Sequence, residues 1–311
     1  MNNPIHVVSW LPALLGTTLL LSACGESDLV EQHERQLAAA RFAAAQPTAG
    51  DEEPATDPDR PSTAFDLTDF NLVFSDEFQS DSLDASKWNT ALTWGTDLVV
   101  YNQQQYYVDT QNNADFGYNP FSLDGEYLTI TATETPDALR SAANEQAWLS
   151  GALTTAGKFD FTYGYVEASI ELQEGRGLWP AFWMLSTDFD NLKPELFIME
   201  YDGAKPNSLF HNYNYTDADG NLRSPGQWEI SSTDFSEGFQ KVGVAWAPQE
   251  LLFYINDVPR YRVVGENVSS QNMYLIMSLA VGGIWPGAPD GTTPSPASTR
   301  VDYIRVYQAA Q

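Results

Sequence analysis

The densest chemistry in the chain lies in Pro194-Glu-Leu-Phe-Ile-Met-Glu-Tyr201, where two glutamates interrupt an otherwise apolar run. A pair of carboxyl groups can divide acid-base and nucleophilic work at an acetal carbon, provided both face the same space. In a regular strand they would not: side chains alternate, so Glu195, Phe197 and Met199 share one face and Glu200 points the other way. One extra residue, a β-bulge, would turn Glu200 onto the face of Glu195. The carboxyls could then approach to the ~5–5.5 Å that retaining hydrolysis of a glycosidic bond requires. By spacing alone the alternative stands beside it, with Glu200 a rim charge and Glu195 a strand-edge charge after Pro194.

Aromatic residues supply a second signal. In Trp179-Pro-Ala-Phe-Trp183 both tryptophans fall on one side of an extended chain. The C–H faces of a sugar stack on indole, although core packing is the commoner fate of tryptophan. Trp285 sits in the Gly- and Pro-rich Gly282-Gly-Ile-Trp-Pro-Gly287, where a core role is less natural.

These residues need strands to hold them. Alternation recurs in Asn71 to Ser75, Tyr127 to Thr131, Tyr163 to Leu172, Phe239 to Trp246, Leu251 to Ile255, Met273 to Leu279 and Val301 to Tyr307. Turn residues separate them, among them Asn119-Pro, Asp124-Gly and Asp219-Gly-Asn, and no stretch after Phe65 keeps a helical apolar period for three turns. The pattern predicts an all-β domain over 65–311, an antiparallel sandwich of two stacked sheets with its first and last strands near the domain termini.

Upstream, an apolar stretch from Trp10 ends in Leu21-Ser-Ala-Cys24, and Cys24 is the single cysteine of the chain. The box reads as a lipoprotein signal over 1–23 with lipid attached at Cys24, rather than an ordinary secretory leader with a chance cysteine. Met1 to Ser9 lacks the Lys or Arg such a leader usually carries. Gly25 after the cysteine suits an outer-membrane destination, so the expectation is a cell-envelope, lipid-anchored protein. Residues 24–64, rich in Ala, Glu and Gln and then in Pro and Asp, read as a flexible stalk.

Fifteen Lys and Arg against 42 Asp and Glu give a formal charge of −27. Nucleic acid is excluded as a partner, because a polyphosphate needs clustered cations. Forty aromatic residues (9 Trp, 15 Tyr and 16 Phe) within 43% apolar content exclude general disorder. One cysteine excludes a disulfide framework. There is no His-Glu-x-x-His, no phosphate-binding Gly loop and no Ser/His/Asp signature, so no catalytic cofactor is expected.

The carboxylate strand resembles the Glu-x-Asp-x-x-Glu signature of glycoside hydrolase family 16, in its laminarinase-like branch with the bulged strand. Gly175-Arg-Gly-Leu-Trp-Pro-Ala-Phe-Trp-Met-Leu185, Gly157 to Ala168, Leu279 to Gly287 and Val301 to Tyr307 are similar to further family motifs, in the family's order. The resemblance implies a concanavalin A-like β-jelly roll with an open cleft, and endo-acting, retaining hydrolysis of a β-1,3- or mixed β-1,3/1,4-glucan such as laminarin. It implies Glu195 as nucleophile and Glu200 as general acid/base, and places Trp179, Trp183, Trp285, His211 and Asn102 in contact with substrate. It implies a structural Ca²⁺ held near Glu77, Gly125 and Asp302, and a monomer.

One departure bears on catalysis. Where the family has Asp beside the nucleophile, this chain has Phe197, which can neither share a proton nor hydrogen-bond. The expectation is a weakened hydrolase in which Phe197→Asp restores ~10²-fold of turnover; the alternative is a surface glycan-binding lipoprotein with a degenerate site. Asn102-Gln-Gln-Gln-Tyr-Tyr107 has Gln103 where the family often has Glu, and Gly151-Ala-Leu153 lacks a common arginine, so substrate contacts are expected to shift.

Overall fold

A computed structural model describes residues 63–96, 99–188 and 193–310. Cys24, the leader and all of the stalk before residue 63 lie outside the described residues. Among those described, seventeen strands form: β1 (Phe70–Asp76), β2 (Gln105–Tyr107), β3 (Phe121–Leu123), β4 (Leu128–Glu134), β5 (Trp148–Ser150), β6 (Ala152–Thr154), β7 (Gly164–Glu171), β8 (Leu178–Ser186) and β9 (Glu195–Tyr201). They continue with β10 (Ser208–Thr216), β11 (Leu222–Arg223), β12 (Gly226–Ile230), β13 (Phe239–Ala247), β14 (Glu250–Ile255), β15 (Val258–Val264), β16 (Met273–Val281) and β17 (Ala297–Ala309). The one helical element among the described residues is a 3₁₀ turn at Asp137–Leu139.

Two sheets stack as the alternation predicts. The larger runs β15-β14-β13-β7-β17-β4-β5-β2, with β1 on β17 and β3 on β4; the smaller runs β11-β10-β9-β8-β16-β6, with β12 on β10. The first and last strands pair, Phe70 opposite Ala309. Among the described residues all strand pairs but one are antiparallel; β2 beside β5 is parallel, a departure from the expected pattern.

The interior is filled from both sheets by alternate side chains: Val166, Ala168 and Ile170 of β7 face Phe182 and Met184 of β8, Leu196 of β9, and Leu275, Met277 and Leu279 of β16 in one buried cluster. Truncating one of these, Met184→Ala for example, costs ~2–5 kcal/mol. The opposite face of the smaller sheet is also covered. Ala181, Trp183, Leu185, Phe197, Tyr274 and Ile276 form a second apolar cluster with Leu92 and Ala152, and this face carries the cleft.

Candidate active site

The site depends on a one-residue irregularity in β9. Against β8, Glu195 pairs with Leu185 and Phe197 with Trp183, but Glu200 pairs with Ala181 after the register shifts. Against β10, Phe197 pairs with Asn212 and Glu200 with Phe210. Ile198 and Met199 together oppose His211, and both enter the core between the sheets. This is the bulge that the glutamate spacing called for. It returns Glu200 to the face already occupied by Glu195 and Phe197.

Both carboxyl groups are nearly enclosed, Glu195 at 6% and Glu200 at 1% exposure. Trp179 Nε1 donates to Glu200 Oε1 at 3.2 Å. Glu195 Oε2 accepts from Asn214 Nδ2 at 2.7 Å and from Lys193 Nζ at 2.7 Å. One carboxylate is thus held by a cation and an amide, the other by an indole N–H. Phe197 lies between them, stacked on Trp183 at 5.1 Å between ring centroids and 9° between planes.

The cavity beside Glu195 is walled by Trp179, Ala181 and Trp183 of β8, Ser278 and Ala280 of β16, and Tyr107. Leu92, Trp94, Tyr101 and Gln103 also line it. Trp183 Nε1 donates to Ser278 Oγ at 3.2 Å. Burial raises the Tyr107 phenol above its ordinary range against the opposing hydrogen bond to Ser278. Burial also raises that of Tyr274, with Thr93 opposing and Glu195 adding to the effect. Both tyrosines are therefore neutral wherever carboxylates titrate.

Trp179, Trp183 and Trp285 come together with the glutamates, in different capacities. Trp183 is a wall whose ring is covered by Phe197, so that side offers a sugar no platform. Trp285 is half-buried and stacked on Trp228 (5.4 Å, 17°), with Trp179 at 5.2 Å and Phe210 at 6.2 Å. Its loop can approach because Gly282 and Gly283 hold positive φ and a Cβ on Gly283 would lie 3.1 Å from the Tyr101 carbonyl oxygen.

One expected contact is corrected. His211 is fully buried and lies between the sheets, its ring 4.9 Å from Phe253 of β14, because it opposes the bulge and points away from the cleft. Its Nδ1–H donates to the Ile198 carbonyl at 2.6 Å. Asn102 is exposed on a left-handed turn (φ 56°) at the edge of the cavity, between Tyr101 and Gln103, which line it.

Of the proposed calcium ligands, the Glu77 carboxylate is occupied by Arg305, with hydrogen bonds of 2.9 and 2.6 Å. Among the described residues no three His, Cys, Asp or Glu gather as metal ligands. Any ion there would rest on main-chain oxygens of Glu77 and Gly125 with Asp302 as the carboxylate. No helix among the described residues is long and apolar enough to cross a membrane.

Lys193, Asn214, Trp94 and Trp228 were not evident in the sequence. Asn214 had a usable signal, at the same alternation as Phe210 and Asn212.

A sequence profile of Glycosyl hydrolases family 16 matches residues 89–305. An endo-1,3-1,4-β-glycanase of Rhizobium meliloti is 29% identical over 78% of this chain and 53% of its own length. The chain thus spans about half the length of that relative. A β-glucanase of Rhodothermus marinus is 32% identical over 77% of this chain and 85% of its own. Among solved structures, the laminarinase catalytic domain of Thermotoga maritima superposes with a TM-score of 0.64 at 27% identity, covering 78% of this chain and all of that one.

Proposed function

Because the chain belongs to the glycosyl hydrolases of family 16, we propose that it is an endo-acting, retaining β-glycanase that cleaves a β-1,3- or mixed β-1,3/1,4-glucan. The observation that carries this reading is the bulge at Ile198-Met199, which sets Glu195 and Glu200 on one face of the cleft. In the first step Glu195 attacks the anomeric carbon as the bond to the leaving oxygen breaks, and Glu200 gives that oxygen its proton. In the second, water attacks the glycosyl ester, Glu200 takes the water's proton and Glu195 leaves as the carboxylate. The relatives named for β-glucan cleavage support the substrate class.

Incubation of the full chain with laminarin, with reducing ends followed over time, tests this reading. Release by the wild type and loss of ~10³-fold or more in Glu195→Gln is expected, since the nucleophile has no substitute. A second reading is favoured by the Phe197–Trp183 stack, which places a ring where the family has an acid: a glycan-binding protein without turnover. Retardation in a laminarin gel without product, unchanged by Glu195→Gln, would establish that reading instead.

The same proposal extends to the envelope. Cys24 carries lipid and tethers a monomeric domain to the outer membrane through the 24–64 stalk. Labelled palmitate should enter the wild type and not Cys24→Ala. Calcium on the main-chain oxygens near Glu77 and Gly125 with Asp302 is proposed as structural only, and a rise in Tm with Ca²⁺ that Asp302→Asn abolishes is the check.

A further inference from the structure

Lys193 is 3% exposed, and its ammonium lies 2.7 Å from Glu195 Oε2. An ammonium is seldom buried without a function for its charge, because desolvating it is costly. Here the charge is directed at the one oxygen that Asn214 also holds. The family's acid beside the nucleophile is absent, replaced by a phenyl ring packed on Trp183. Two donors from outside that position therefore converge on the carboxylate that the missing acid would have served.

We propose that Lys193 is a positioning residue that keeps Glu195 ionised and fixes its orientation, taking with Asn214 the part an aspartate at 197 would play. The inference rests on Glu195 being the nucleophile of a β-glycanase. A cation differs from an aspartate in its consequences. It favours the carboxylate anion, so Glu195 stays reactive at lower pH. It also stabilises the anion more than the glycosyl ester, in which that charge is lost. Formation of the ester is slowed, and its hydrolysis, which restores the ion pair, is favoured. The glycosyl-enzyme then does not accumulate.

Among the described residues, other titratable groups also face Glu195. Glu200 shares its strand and face, Tyr274 faces it from β16, and Tyr107 and Tyr101 belong to the cavity wall. Asn214 of β10 carries no charge. With Tyr107 and Tyr274 neutral, a change in the acid limb on altering Lys193 reports on Glu195.

The test compares the full-length wild type, Lys193→Met and Lys193→Arg in two measurements. One is the pH profile of kcat/KM on laminarin; the other is a ¹³C NMR titration of the glutamate carboxyl carbons, assigned with Glu195→Gln. Lys193→Met should move the acid limb and the Glu195 midpoint upward by about one pH unit or more, a tenfold change in the protonation equilibrium. Lys193→Arg should keep both close to the wild type. Lower thermal stability with the acid limb and midpoint unmoved would make Lys193 a structural anchor and overturn the proposal. If the wild type releases no reducing ends at any pH, the glycanase reading fails on its own. The electrostatic role of Lys193 is then judged by the midpoint, supported by its rise and overturned by its constancy. Should Lys193→Met fail to fold, Lys193→Gln read against Lys193→Arg gives the same comparison.

Discussion

At the scale of single residues, the site turns on what surrounds one carboxylate. From sequence, Phe197 implied a weakened hydrolase that Phe197→Asp would repair. The structure places Lys193 and Asn214 on Glu195 and packs Phe197 against Trp183, which changes that expectation. An aspartate at 197 would break the aromatic stack, worth ~0.5–1.5 kcal/mol beyond area burial, and crowd a third carboxylate between Glu195 and Glu200. Phe197→Asp should therefore give less than a ~10-fold gain in kcat on laminarin and a lower Tm. A gain of ~10²-fold would show that Lys193 does not replace the missing acid. Lys193 escaped the sequence reading because its meaning depends on burial, which a lone lysine before Pro194 does not announce.

At the scale of elements, the decisive feature is the bulge in β9 and the residue that braces it. His211 was expected in the cleft from the family resemblance alone, which does not say which face of β10 the bulge presents. Opposite Ile198 and Met199 it faces the core, where its Nδ1–H satisfies the Ile198 carbonyl. Burial, partly opposed by that hydrogen bond, pushes its pKa down from 6.5 to about 4. The unfolded chain thus binds the proton and the folded one does not, so stability falls as pH drops from 6.5 towards 4, by about 3 kcal/mol over the whole window. His211→Leu should remove this difference. Urea denaturation at pH 7 and pH 4.5 should show the variant less stable at pH 7, by ~1–3 kcal/mol for the stranded carbonyl, but losing less on acidification than the wild type. Equal acid losses would contradict the assignment. Longer strands were legible because alternation persists in them: β1, β4, β7, β13, β14, β16 and β17 each overlap a predicted run. Short β2, β3, β5, β6 and β11 were not, since two or three residues carry no period and owe their form to their partners.

At the scale of the whole molecule, the charge of −27 excluded polyanions but left the substrate open. The structure narrows this, because many cations are already engaged: Arg176 with Asp290, Arg223 with Asp217, Lys241 with Glu167, Arg262 with Glu250 and Arg305 with Glu77. A cleft lined by aromatic side chains and two carboxyls suits a neutral glucan, whose binding depends little on screening. KM for laminarin should change less than ~2-fold between 0.05 and 0.5 M NaCl, while a steep salt dependence would point to a charged glycan. Sandwich architecture and the carboxylate pair were thus both legible in the sequence, whereas the ion pair and the cleft wall needed the fold to bring distant segments together. Glu195 and Glu200 are proposed as the nucleophile and acid/base of a retaining endo-glycanase. Real-time ¹H NMR of laminarin cleavage by the full chain tests it most directly. The first new reducing ends should carry the β configuration on products of mixed length, and Glu195→Gln should produce none. New ends of α configuration, or laminarin bound and never cleaved, would contradict it.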